Sequence, residues 1–180
     1  MKINSAHGKK YGEFFYRWIG TASLLPVVLY LVVNGGRFIF IDYLNLLIHE
    51  GGHGIFMVFG GFIYFLGGTL MQLIIPGMFV IYYISKRKMM AAQVFLVWLG
   101  QNLLNISIYA ADAQARSLPL LGGNKVFHDW NWMLRRIGLL EHDSLVGSFF
   151  YLLGIIVFFA SLLLPLILKE YKNSKITLEI

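Results

Sequence analysis

Between Phe38 and Ser85 the chain carries no Lys and no Arg. One transmembrane helix needs roughly 20 apolar residues, so a stretch about twice that length has to enter a bilayer and turn back inside it. Hydrocarbon offers no water to backbone N–H and C=O groups, which leaves the helix as the economical way to cross. The composition agrees, with 58% hydrophobic and 13% charged residues, where a soluble domain carries roughly a quarter charged. The expected fold is all-α and integral to the membrane, a single polytopic domain over residues 1–180. About five transmembrane helices are expected, near residues 14–33, 38–58, 69–85, 89–111 and 144–168. Residues 112–143 are the only long polar segment and read as a polar, interfacial loop. The glycine pairs in Phe59–Gly68 predict either a tight helical hairpin or a re-entrant segment after the second span.

The formal net charge is +6. The basic residues flank the apolar runs, which suits anionic lipid headgroups and argues against a nucleic-acid surface. There is no cysteine, so disulfides and thiolate metal sites are excluded and any metal has to use His, Asp or Glu. The polar segment Met1–Gly12 has no signal-peptide pattern, and the first span is expected to direct insertion. A multi-pass protein of a bacterial inner membrane is the expected setting. With five spans the termini lie on opposite sides, and the Lys and Arg residues divide eight against seven. That count does not orient the chain; a cytoplasmic N-terminus is expected.

His49-Glu50-Gly51-Gly52-His53 lies within the longest apolar run. On a helix His49 and His53 share a face and can offer two imidazole nitrogens to one metal ion. Glu50 is offset by about one helical step, where it can take a proton from a water and pass it on. Two His and a Glu are costly in a bilayer unless they bind something or each other. Asp42, Asn45, His49 and His53 form one polar stripe, and Asn102, Asn105, Tyr109 and Asp112 form a second on the fourth span. The two stripes are expected to face each other, as a polar site or as hydrogen-bonded seams. A catalytic zinc takes three protein ligands and a water. Asp112 is the first choice for the third ligand and His128 the second, with Asp129 orienting an imidazole from outside the ligand set. Residues 127–140, with Trp130, Trp132, Arg135 and Arg136, predict a helix lying in the interface.

These residues resemble the site-2 protease class of intramembrane zinc metalloproteases, the M50 family and its M50B-like relatives. The resemblance rests on HEGGHG in an apolar helix, on the FGGFIYFLGG stretch after it, and on Asn105 and Asp112 on a later span. It covers residues 38–119. It implies His49 and His53 as zinc ligands, Glu50 as catalytic base, Asp112 as third ligand and Asn105 beside substrate. The family's later motif carries prolines and an Asp-Gly pair; here no proline lies between Asn105 and Asp112, and Ala113 follows Asp112. No PDZ-like or CBS-like domain is present. The expected activity is hydrolysis of peptide bonds in membrane-associated substrates, with Zn2+ as cofactor and membrane lipids and a membrane protein or peptide as partners. The rivals are a lipid hydrolase using the same water-activating site and a metal transporter or binding protein without chemistry.

Overall fold

The computed structural model describes residues 4–119 and 127–168, and for residues 4–17 the helical backbone alone. Residues 120–126 and those from 169 onward lie outside the described residues. Among the described residues six α-helices follow one another: α1 (Asn4–Asn34), α2 (Asp42–Phe56), α3 (Gly61–Ser85), α4 (Met89–Ala111), α5 (Asp129–Arg136) and α6 (Asp143–Ile167). No strand occurs among the described residues. Three helical stretches, α3, α4 and Leu140–Ile167, are long and apolar enough to cross a membrane, while the apolar part of α1, Trp18–Asn34, is shorter.

Helix α4 is the hub. In its most apolar window 56% of residues are buried, against 28% for the Leu140–Ile167 stretch. Lipid supplies no hydrophobic drive between helices, so close backbone approach has to hold them together. The glycines do this: a Cβ on Gly100 would meet the Phe158 ring at 2.6 Å, and one on Gly147 would meet the Ser107 carbonyl at 2.7 Å. A Cβ on Gly52 of α2 would collide with the carbonyl of Gly67 on α3. Gly52→Leu would therefore pry the two apart. Outward-facing Leu47, Ile81 and Leu145 are each at least two-thirds exposed, as a lipid-facing surface requires.

Side-chain pairings fix the helix directions. Gln93 near the start of α4 donates to Thr21 of α1, and at the far end a Cβ on Gly36 would meet the Leu104 carbonyl at 2.8 Å. Helix α1 thus runs parallel to α4. Helix α3 runs antiparallel to α4, since Gln72 donates to Asn102 while Phe79 and Tyr83 stack on Phe95. Helix α6 is also antiparallel, with Gln93 donating to the Ser161 carbonyl and Gly147 beside Ala111. Helix α2 is antiparallel to α3: His49 reaches Gln72, and His53 reaches Tyr64. Helices α1, α2 and α4 therefore point one way, and α3 and α6 the other.

This differs from the strict alternation expected of five spans. Helix α1 ends on Gly35 and Gly36, both at positive φ (62° and 81°), a backbone that glycine adopts without strain. The chain then restarts inside the bundle, where Asp42 Oδ2 accepts the Ile39 N–H at 2.6 Å. Helix α2 has only 15 residues, about 22 Å of rise. After it a single 3-10 turn, Met57–Phe59, and Gly60 at φ 94° reverse the chain. Helix α3 begins at once with Gly61. Of the two forms expected for Phe59–Gly68, the structure has the helical hairpin, and α3 starts ahead of the expected residue 69.

Candidate metal centre

Three elements meet at the α2–α3 hairpin. The α2 face at His49 and His53 packs on α3, where the His49 ring lies on Gly68: a Cβ there would meet its Nε2 at 2.5 Å. Helix α5 supplies the third side. His128 is its N-cap, accepting the Asn131 N–H on Nδ1 at 3.2 Å, and the Asn131 amide donates to the Ala113 carbonyl at 2.7 Å. Trp130, Met133 and Leu134 bury themselves against Ile106, Ala110 and Ala113, while Trp132 stacks on Phe65 at 4.4 Å. The interfacial helix expected over residues 127–140 is thus shorter, and it turns its first residue, Asp129, inward.

His49, His53 and Asp129 each place a ligand atom within 4.8 Å of the others. Asp129 Oδ2 lies 2.9 Å from His49 Nε2 and 3.3 Å from His53 Nε2. Two zinc ligands held at about 2.0–2.1 Å in tetrahedral geometry are roughly 3.3 Å apart, so this spacing suits a shared ion. The outer nitrogens are held too. His49 Nδ1 meets Gln72 Oε1 at 2.9 Å and His53 Nδ1 meets the Tyr64 carbonyl at 2.8 Å. A carbonyl oxygen only accepts, so each Nδ1 carries a proton and each ring turns its Nε2 inward toward Asp129. Three lone-pair-bearing atoms then face one another in a buried space, an arrangement that needs a cation or added protons between them. The residues fit a divalent metal with nitrogen and oxygen ligands.

Tyr109 fixes the carboxylate. Its hydroxyl accepts the Asp129 N–H at 3.2 Å and lies 3.3 Å from Asp129 Oδ2. Burial pushes the Asp129 carboxyl up, but the His49 and His53 hydrogen bonds outweigh it and hold the group below the usual carboxylate range.

The other expected ligands stand one layer out. Asp112 Oδ1 accepts the Ser117 N–H at 2.9 Å and its hydroxyl, and Oδ2 accepts the Leu118 N–H at 3.0 Å. Its carboxylate thereby closes the turn that leaves α4. Burial raises that carboxyl, and the Ser117 and Leu118 donors bring it below its ordinary value. His128 Nε2 faces Asp112 Oδ2 at 3.5 Å. Burial keeps this imidazole below its ordinary pKa against the pull of Asp112 and Asp129, so the ring is neutral and carries its proton on Nε2. Asp112 and His128 thus form a clip that places Asp129, the next residue. Asn105 donates to Asp42 Oδ1, away from the histidines. Sequence reading had Asp129 beside the site; only its place at the start of α5, after a capping His, signals a side chain aimed inward.

Glu50 is exposed on the uncovered side of α2. Gly51 and Gly54 share that side, and nothing lies within 4 Å of where their Cβ atoms would be. The tight glycine, Gly52, serves the α3 contact; the open pair serves no contact among the described residues.

No protein-family model, no curated protein and no solved structure matches this chain.

Proposed function

We propose that the chain is a membrane-embedded zinc metallopeptidase that hydrolyses peptide bonds of membrane-associated protein substrates, similar in chemistry to the site-2 protease class. One observation carries the reading: both HEGGH imidazoles turn Nε2 toward a single carboxylate oxygen, each ring held at Nδ1 by an oxygen acceptor. The ligand set in this reading is His49, His53 and Asp129, with Asp112 and His128 supporting it. A zinc ion bound there would polarise the scissile carbonyl and lower the pKa of the attacking water. Glu50, on the open side of the same helix turn, takes the proton of that water and gives it to the leaving amine. Gln72 and the Tyr64 carbonyl hold the two imidazoles aimed, and Tyr109 holds Asp129. The open Gly51–Gly54 side leaves room for a substrate backbone beside Glu50. A substrate helix has to unwind there first, because its carbonyls are otherwise bonded.

The site lies at one end of the bundle, beside the α2–α3 turn, which favours hydrolysis over transport. The test is purified protein in proteoliposomes with single-span peptides, analysed by mass spectrometry. New peptide termini are expected with zinc present. A chelator removes them, and Glu50→Gln lowers their rate by about 10²–10⁴-fold with zinc still bound. Free fatty acid in place of new peptide termini would give the activity to lipid; neither product from a zinc-loaded protein would overturn the enzyme reading.

A further inference from the structure

We infer that the chain crosses the membrane an even number of times, keeps the start of α1 and the end of α6 on the cytoplasmic side, and presents the candidate metal centre at the opposite face. The inference deepens the hydrolase reading by assigning the compartment its site faces, and rests on that reading only for what the site does.

The helix directions carry it. Helices α1 and α2 run the same way, joined by residues 35–41, whose Ile39 packs in the core with Val28 and Leu31 of α1. Together they make one interrupted crossing. The interruption is anchored on protein through Asp42 at its end, as a break at membrane depth requires. Asp42 takes the Ile39 N–H on one oxygen, and Asn45, Gln101 and Asn105 donate to the other. Helix α3 then returns, α4 crosses again and α6 returns. Four crossings put the start of α1, the α3–α4 turn and the end of α6 at one face. The 112–142 connection, α5 and the α2–α3 turn lie at the other.

This regroups the charges. Lys2, Lys9, Lys10 and Arg17 precede the crossing part of α1; Lys86, Arg87 and Lys88 make the α3–α4 turn; Lys169, Lys172 and Lys175 follow α6. Ten of the fifteen Lys and Arg residues therefore attach to one face. Arg116, Lys125, Arg135 and Arg136 belong to the opposite connection, and Arg37 sits at the break in the first crossing. The even division expected of five spans becomes a clear bias, and basic connections stay in the cytoplasm. The metal centre is on the poorer face. His53 is level with Tyr64, three residues into α3, about 5 Å from that helix's start. Peptide bonds in the non-cytoplasmic half of a membrane segment, or just outside it, are the ones within reach.

The chain has no cysteine, so single cysteines report cleanly. Ser5→Cys, Ser85→Cys, Glu141→Cys and Ser174→Cys, each in the full chain, are labelled with a membrane-impermeant maleimide in intact and in permeabilised spheroplasts. The expected result is labelling of Glu141→Cys in intact spheroplasts and of the other three only after permeabilisation. Labelling of Ser5→Cys and Ser174→Cys on opposite sides would restore an odd number of crossings and overturn the inference. Labelling of Ser85→Cys from outside, with Glu141→Cys protected, would reverse the orientation and overturn it equally. Labelling does not depend on metal. A protein that binds no zinc yet labels as expected would sink the hydrolase reading and leave the topology standing.

Discussion

Helix α2 carries two buried polar clusters, and they balance differently. Around Asp42 the donors converge: one backbone N–H and three side-chain amides point at a single carboxylate. Trp98 closes the set by donating to Asn45 at 2.8 Å. The carboxylate is fully met by donors, although the buried Asn105 Oδ1 has no partner among the described residues, and the cluster's work is to hold the break between α1 and α2. Two turns on, the acceptors converge instead. His49, His53 and Asp129 face one another with their donors turned outward to Gln72 and Tyr64. Both clusters are polar and both sit in a membrane bundle, so polarity alone does not separate structure from chemistry. The sign of the imbalance does: a surplus of lone pairs calls for a cation or for added protons.

The contrast can be broken experimentally. The largest effect belongs to His53→Ala, which removes one of the three proposed ligands; zinc content and hydrolysis are both expected to fall to background, while the helical content by circular dichroism stays. Asp42→Leu does the reverse. It leaves amide donors without an acceptor, at about 1–3 kcal/mol for each. The thermal midpoint in detergent drops, and the folded fraction keeps its zinc. If Asp42→Leu also empties the site, the two clusters are one. Gln72→Leu comes next. It frees His49 Nδ1 to change tautomer without removing a ligand, and zinc affinity measured by competition with a chelator falls about 10–100-fold. The smallest effect concerns Asp112. Its carboxyl is depressed in the folded chain, so its contribution is present above the unfolded value near 4 and is lost as pH falls through the lower folded value. Asp112→Asn should therefore flatten the acid limb of stability against pH, and change little near neutrality beyond a constant offset.

Much of this was legible in the residues. The absence of Lys and Arg from Phe38 to Ser85 dictates membrane helices, and the i, i+4 histidines dictate a shared face. The facing polar stripes were legible in part as well: Asn105 does donate to Asp42, and the Tyr109 ring lies beside His49. What apolar length could not reveal is direction. A window of hydrophobicity reads the same for a helix that crosses and for one that breaks and resumes, and only the Gly35-Gly36 pair with Asp42 behind it marks the break. The third ligand proposed here was not legible for a related reason. Asp112 lies on the stripe that helical spacing extends, but the chain has left α4 by then. Its carboxylate is spent on Ser117 and Leu118, amides that no periodicity places. Asp129 comes from a short helix whose inward turn depends on tertiary packing of Trp130, Met133 and Leu134.

The most direct test separates those two aspartates. Zinc is measured by mass spectrometry on detergent-purified wild type, Asp129→Ala and Asp112→Ala, each prepared without chelator and offered zinc. The account predicts about one zinc per chain in wild type, none in Asp129→Ala, and retention, with weakened affinity, in Asp112→Ala. Zinc kept by Asp129→Ala and lost from Asp112→Ala, or a wild type that binds none, would contradict it.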